Sequence, residues 1–360
     1  MPGCDAGGIS SVVLNYYRHI NKDEFHFDCA VTSDIIGQNG RQLQELGANI
    51  FHLPLKSEDG KGYKKAIEKI LKEGNYTAIH VHENHTSFVA LRIAKKIGVP
   101  VRIAHAHTAG ALNKNLKSIV RRWLSILLNP IYATNLISCG TYAARYIFGQ
   151  SKKAAKKLLI LPNAIDLESY SFCEETRREE RIELQLGRSF TIGMVGRLQP
   201  EKNHVFALEL LKSLQDKSVK MLIVGNGEKE SDIRQKIQEL DLEEQVCLLG
   251  RRNDVPAIMN ACDMLLLPSL FEGFPVVGVE AAATGLPIIL SDSITPELSV
   301  FSNVKYLSLN SEKKDWQQAI LSLKEQSIDR SIGNQVVSKN GFNIQNTVFA
   351  LEQLYIKGGV

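Results

Sequence analysis

Eleven short runs of β-branched and apolar residues recur along the chain, each separated from the next by a stretch with helical amphipathic spacing. The first series covers 25–31, 48–53, 78–82, 101–107, 135–139 and 158–162; the second covers 190–196, 220–225, 246–250, 264–268 and 287–291. Strands that alternate with helices cannot pair as hairpins, so they must lie parallel with the helices as crossovers. The fold class expected is therefore α/β, with two Rossmann-like domains in tandem, and 360 residues are enough for both. Residues 1–165 form the first domain and 190–341 the second, joined by the charged, strandless stretch 166–189. No internal repeat or low-complexity segment interrupts the series.

The first series starts irregularly. Gly7 and Gly8 lead directly into a helical pattern over 9–20, yet in a doubly wound domain such a glycine turn follows a central parallel strand. Only "MPGCDA" stands before it, so the first strand of the N-terminal domain is missing from the pattern. The expectation is that the natural polypeptide carries a short apolar strand upstream of Met1, and that the chain starting at Met1 is poorly soluble or inactive.

Charge is unevenly divided. Residues 1–165 hold 22 Lys and Arg against 11 Asp and Glu, while the remainder hold 21 against 28. A basic half suits an anionic partner, whether a phosphorylated substrate, an acidic membrane surface or nucleic acid. The six cysteines are scattered without a C-x-x-C pair or zinc spacing, which reads as reduced thiols in a cytoplasmic protein. The N-terminus lacks a basic region followed by an apolar one, and the most apolar region, 263–290, is broken by two glutamates and three prolines; neither a secretory signal nor a membrane span is expected.

Chemistry concentrates in "LFEGFPVVGVEAAATG" (270–285), otherwise without charge, where Glu272 and Glu280 stand with seven residues between them. Pro275 opens a helix and Gly285 ends it, so Glu272 falls in the preceding loop and Glu280 inside the helix. The i±3 and i±4 neighbours of Glu280 are Val276, Val277, Ala283 and Thr284, an almost wholly apolar setting. A carboxylate there calls for a hydrogen-bonded partner such as a ligand hydroxyl, unless it peers out of a gap or pairs with a basic side chain. The amides of Gly273, Phe274, Pro275's neighbour Val276 and the helix dipole together make a phosphate site, with Glu272 beside whatever the phosphate carries. "MVGRLQPEKNH" (194–204) offers Arg197 off a strand end and Lys202 after a proline turn, two cations suited to a diphosphate unless they are only solvated turn charges.

The remaining signals are weaker. His105 and His107 end one strand on the same side, with no third ligand at metal spacing, so no metal is expected, and no D-x-D pair is present. Residues 112–132 interleave Lys114, Lys117, Arg121 and Arg122 with Leu116, Ile119, Trp123, Leu127 and Leu128, as in an interfacial helix or a packing helix with a basic outer face. "KKAAKK" (152–157) adds charge to the same domain.

The Glu272/Glu280 pair, "GRLQPEKN", "LPNAID" before the connection and Gly7-Gly8 at the start together resemble the retaining GT-B glycosyltransferases of family 4 (glycosyl transferases group 1). "VRIAHAHT" and "LGRRNDVPAIMNACDMLLLPSLFEGFPVVGVEA" are similar to the bacterial exopolysaccharide and capsule type. The resemblance implies two Rossmann-like domains facing a central cleft, and a last helix (342–360) returning to the first domain. It further implies that Glu280 binds the donor ribose, that Glu272 and the amides of Gly273 to Val276 bind the donor sugar, and that Arg197 and Lys202 bind the diphosphate. Gly8 would approach the phosphates, His107 would sit beside the reacting carbon, and the base would lie near Arg251 and Val255. The activity implied is retaining transfer of a hexose or N-acetylhexosamine from a nucleotide sugar, UDP-linked, to a polyprenyl-diphosphate-linked saccharide. No cofactor or metal is implied, and the place is the inner face of the plasma membrane, held by Lys117, Arg121, Arg122 and Trp123.

Three rival readings are open on the residues alone. A dinucleotide oxidoreductase would need G-x-G-x-x-G, and Gly225-Asn226-Gly227 has no third glycine in place. A non-catalytic or truncated nucleotide-sugar-binding protein would fit the missing strand but not the intact Arg197, Lys202, Glu272 and Glu280. Nucleic acid binding would suit the basic half, but no aromatic-interleaved motif supports it, and nucleic acid is not expected as a partner.

Overall fold

A computed structural model describes residues 1, 3–4, 8–107 and 116–358. The expectations that fall on Gly7 and Lys114 lie outside the described residues. The chain forms two compact units, Met1–Ala164 with Gly341–Val360, and Ile165–Asn340.

In the first unit the elements run α1 (Gly8–His19), β1 (Asp28–Val31), α2 (Gln38–Glu45), β2 (Asn49–His52), α3 (Gly60–Glu73), β3 (Ala78–Val81), α4 (Ser87–Ile97) and β4 (Val101–Ala106). They continue with α5 (Leu116–Tyr132), β5 (Asn135–Ser138), α6 (Thr141–Phe148), α7 (Lys152–Ala155) and β6 (Leu158–Ile160). All pairings are parallel, but they fall into two pieces: β1 with β2, and β3-β4-β5-β6. One face of this layer is closed by α1, whose Val13, Tyr16 and Tyr17 pack in a core with Ile103 and Ile137.

The second unit contains α8 (Glu174–Glu183), β7 (Phe190–Val195), α9 (His204–Leu214), β8 (Val219–Val224), α10 (Glu230–Glu239), β9 (Val246–Gly250) and α11 (Val255–Ala261). It continues with β10 (Met264–Leu267), α12 (Val276–Ala283), β11 (Ile288–Ser291), β12 (Val304–Leu307), α13 (Lys313–Lys324) and α14 (Gly333–Lys339). Its parallel sheet has the order β12-β11-β10-β7-β8-β9, so β7, first in sequence, is central and paired on both edges. That is the doubly wound order, with its switch point between β7 and β10. The core beneath it is built from Ile192, Leu208, Met221, Leu266 and Trp316, each at or near complete burial.

The final helix, α15 (Ile344–Lys357), belongs to the first unit. Leu351, Leu354 and Tyr355 join the core around α1, and Glu352 accepts from the Asn21 amide at 2.9 Å.

The stretch 166–189 differs from the expected connection, because it folds onto the second unit. Arg177 in α8 donates to the carbonyls of Asn260, Ala261 and Cys262 at the end of α11, and to Asp263 at 2.5 Å. Arg181 reaches Ala261 and Asp263 beside it. These charges neutralise the unpaired carbonyls of a helix terminus. Arg330 does the same from the other side, donating to Thr284, Met259, Asn260 and Cys262 while stacking 4.3 Å over the Phe172 ring.

Candidate active site

In the second unit the expected site residues gather at the carboxyl ends of β7 and β10, beside the switch point. Gly196 follows β7 with φ +151°, and its amide extends the ladder to Val224 at 2.9 Å. Gly225 follows β8 with φ +136°, and a Cβ there would stand 1.9 Å from the Gly196 carbonyl oxygen. Only glycine permits that approach. "VGNGEKES" thus serves strand-to-helix geometry, holding the loop after β7 by backbone bonds from Leu198 to Asn226 (2.9 Å) and from Lys229 to Leu198 (3.0 Å).

On that loop Arg197 is exposed, with no ion pair among the described residues, while Leu198 beneath it is buried. A 3-10 turn, Pro200–Lys202, then sends the Lys202 side chain back across Gly196, where an added Cβ would meet Lys202 Cε at 3.1 Å. Asn203 holds the turn in a left-handed conformation (φ 57°) and donates from Nδ2 to the Pro268 carbonyl at 3.1 Å. Lys202 Nζ ends 2.9 Å from Glu272 Oε1, both side chains being mostly buried at 19% and 12% exposure. Cation and carboxylate that sequence spacing placed on separate loops are therefore one ion pair. Ser269 Oγ donates to the same Glu272 oxygen at 2.7 Å, and Ser291 fixes Ser269 through its carbonyl. Beneath this pair His204 lies buried, and burial, aided by the Lys202 charge, holds its imidazole down at about 4.

Glu280 lies in α12 as expected, and Pro275 supplies no side-chain cap to the helix start. The helix packs tightly behind the site, since a Cβ on Gly278 would meet Leu298 Cδ1 at 2.4 Å. Burial pushes the Glu280 carboxyl up to about 7, opposed by a hydrogen bond from the Tyr170 hydroxyl. Tyr170 itself is held well above its ordinary range by burial and by the Glu280 charge. No basic side chain pairs with Glu280 among the described residues, so the basic-partner alternative has no support there. Tyr170, Ser269 and Ser291 are absent from the expected site. Ser269, directly before the glutamate loop, was the most accessible of them to a reading of sequence.

The expected base pocket is less defined. Arg251 is exposed, and Val255 opens α11 half-buried. Its neighbour Arg252 is fixed instead, donating from Nε to Asp254 at 2.7 Å and lying 3.5 Å from Glu180.

The first unit presents Gly8 at the start of α1, exposed and with open space around a Cβ, so packing does not demand glycine there. His107 Nε2 lies 2.8 Å from His82 Nδ1, and its amide donates to Asn84 at 2.9 Å. Burial holds the His107 ring down at about 3. The further imidazoles that local spacing did not offer come across the sheet, since β3 and β4 each run out through an H-x-H, and the resulting group takes His105 but not His107. His80, His82 and His105 bring donor atoms within 4.8 Å of one another, a geometry able to hold a metal ion. Internal hydrogen bonds already engage most of these nitrogens: Tyr355 Oη to His80 Nδ1 at 2.8 Å, and His80 Nε2 to His105 Nδ1 at 3.1 Å. Burial drives all three rings toward the neutral form.

Helix α5 is inverted relative to an ordinary packing helix. Ser118, Ser125 and Asn129 are buried, while Leu116 (77% exposed), Trp123 (63%) and Leu127 (59%) face outward with Ile119 and Val120. Lys117, Arg121 and Arg122 share the exposed side, with Arg122 lying 4.5 Å over the Tyr146 ring. Among the described residues no helix is long and apolar enough to cross a membrane.

Residues 6–169 match the family described as Glycosyltransferase Family 4, and residues 176–339 match Glycosyl transferases group 1. The chain is 31% identical to the putative glycosyltransferase EpsF of Bacillus subtilis (strain 168), over 99% of this chain and 94% of that one. It is 30% identical to the UDP-Gal:alpha-D-GlcNAc-diphosphoundecaprenol alpha-1,3-galactosyltransferase of Escherichia coli, over 81% and 78%. In fold it is similar to Anabaena HepE in complex with UDP, with a TM-score of 0.82 at 17% identity, covering 99% of this chain and 98% of that one.

Proposed function

Because the chain belongs to glycosyltransferase family 4 and has the GT-B fold of two parallel-sheet Rossmann-like domains, we propose that it moves a hexose or N-acetylhexosamine from a UDP-sugar to a polyprenyl-diphosphate-linked saccharide, with retention, in surface polysaccharide synthesis. The observation that carries the acceptor assignment is α5. A helix that buries serine and asparagine while exposing Trp123 and four aliphatic side chains beside three cations suits a bilayer interface with anionic headgroups. An acceptor on a polyprenyl chain is presented only there, at the inner face of the plasma membrane.

The donor is assigned to the second unit. Glu280, short of partners and partly desolvated, would accept hydrogen bonds from the ribose hydroxyls. The uncapped start of α12 and the amides from Gly273 to Val276 would receive the phosphate and sugar, with the uracil near Arg251 and Val255. Arg197 would close on the diphosphate and Lys202 would share itself between the diphosphate and Glu272, which frees one carboxylate oxygen for a sugar hydroxyl. In the transfer the acceptor oxygen bonds to the anomeric carbon as the bond to the diphosphate breaks on the same face, and the acceptor proton passes to the departing phosphate oxygen. The cations hold the charge that develops on the leaving group.

The test is transfer from UDP-glucose, UDP-galactose and their N-acetylated counterparts to an undecaprenyl-diphosphate-linked sugar in anionic vesicles. The expected result is acceptor-dependent UDP release from one donor and an α-linked product. A β-linked product, or no acceptor-dependent release from any donor, overturns the reading.

A further inference from the structure

The stretch from Pro268 to Glu272 is tied on both sides. Asn203 Nδ2 donates to the Pro268 carbonyl at 3.1 Å and the Leu270 amide donates to the Glu201 carbonyl at 2.8 Å, so the turn after β7 grips one flank. On the other flank Ser291, the last residue of β11, donates from Oγ to the Ser269 carbonyl, and a parallel bridge joins Glu272 to Ile294. Ser269 and Ser291 are 1% and 0% exposed. A connecting loop is ordinarily the mobile part of a site. Here it is anchored beside both strands that flank β10.

The carboxylate this loop presents is engaged on one oxygen. Lys202 Nζ and Ser269 Oγ converge on Glu272 Oε1 at 2.9 and 2.7 Å, and no donor among the described residues reaches Oε2. A largely desolvated carboxylate oxygen without a donor is costly, so Oε2 calls for a donor brought by a ligand. A sugar hydroxyl supplies one, whereas a phosphate offers only acceptors and like charge. Lys202 is an insecure clamp for this purpose, because a diphosphate draws the same ammonium away. The Ser269 hydroxyl carries no charge for the phosphates to attract, and its backbone is fixed through Ser291.

We propose that Ser269 is the positioning residue that aims Glu272 at the donor sugar: its hydroxyl keeps Oε1 occupied, so that Oε2 accepts from a single ring hydroxyl. The assignment rests on the reading that a nucleotide sugar binds the second unit, and carries it from the nucleotide to the hexose. Ser269 thereby contributes to selectivity among sugars and leaves the affinity for the nucleotide alone. Without its hydroxyl the carboxylate turns about its last bond, and both oxygens compete for Lys202. The sugar hydroxyl then loses a pre-set acceptor.

The experiment is calorimetric titration of wild type, Ser269→Ala and Ser269→Thr, each checked for folding by its melting curve. The probes are UDP, UDP-glucose, UDP-galactose and their N-acetylated counterparts, then analogues of the tightest-bound sugar that each lack one ring hydroxyl. In the wild type one deoxy analogue should bind on the order of tenfold more weakly than the intact donor. Ser269→Ala should weaken the intact donor by roughly three- to tenfold, bind UDP as the wild type does, and no longer distinguish that analogue. Ser269→Thr, which keeps the hydroxyl, should retain the discrimination. Discrimination that persists in Ser269→Ala overturns the proposal, as does an equal loss of UDP and donor affinity, or a folded threonine variant that behaves like the alanine one. UDP that binds the wild type with no gain from any sugar also overturns it. A wild type that binds neither UDP nor any donor would instead overturn the donor reading itself.

Discussion

Glu280→Gln should stabilise the protein while impairing it, and the size of the effect follows from the site. The Glu280 carboxyl is raised from 4.5 to about 7 chiefly by burial. A raised carboxyl binds its proton more tightly in the folded state than in the unfolded one, so folding is favoured below the unfolded value. That advantage is lost as pH climbs from about 4.5 through about 7, and above it the folded state holds a charge it would rather not hold. The full difference is about 3 kcal/mol at pH 8, and the partial exposure of Glu280 brings it nearer 2. At pH 5 less than about 1 kcal/mol remains. Glutamine keeps the shape and still accepts from Tyr170 without the charge. The expected result in urea denaturation is a variant more stable than the wild type by about 2 kcal/mol at pH 8, converging with it near pH 5. A variant no more stable at pH 8, or an advantage that grows toward acid, would refute a carboxylate held at a desolvation cost for a ligand.

Lys202→Ala and Arg197→Ala should slow turnover more than they weaken donor binding, because negative charge on the leaving diphosphate peaks in the transition state; steady-state kinetics giving a KM effect alone would count against it. Activity should survive EDTA, and its loss with recovery on adding Mg²⁺ or Mn²⁺ would mean that fixed cations are not the stabilising groups. Sedimentation with anionic vesicles should fall with salt and drop when Lys117, Arg121 and Arg122 are neutralised, whereas equal binding to neutral vesicles contradicts the electrostatic part of the α5 reading. Gly225→Ala should cost at least about 3 kcal/mol, since its Cβ would meet the Gly196 carbonyl at 1.9 Å in a left-handed backbone; a near-neutral melting shift would show that the two loops separate easily.

Much of the fold was legible because parallel strands are buried on both faces and leave continuous apolar runs. Each of the eleven expected strands overlaps one in the structure. β12 was missed because it is an edge strand, half-exposed and carrying Lys305, so no apolar run marks it. The stretch 166–189 read as a connection because its charges look solvated; in the fold Arg177 and Arg181 are consumed by carbonyls of α11, partners that no local pattern announces. Tyr170 was hidden in the same stretch. Arg197, Lys202 and Glu272 were legible as candidates because each sits beside a strand end or helix start marked by glycine and proline, and Glu280 because it stands inside a helix whose i±3 and i±4 neighbours are almost all apolar. Their pairing was not, since the Lys202 contact with Glu272 depends on β7 and β10 being neighbours. The imidazole group followed the same logic, as His80 and His105 meet only through the β3–β4 register.

The central claim is that a nucleotide sugar binds the second unit through Glu280. Calorimetric titration of UDP-glucose into wild type and Glu280→Ala measures it directly, with the folded state of the variant checked by its melting curve. Removing charge-assisted hydrogen bonds to the ribose should weaken binding by about 1.5–3 kcal/mol, on the order of ten- to a hundredfold in Kd. A folded variant that binds UDP-glucose as tightly as the wild type would contradict the assignment.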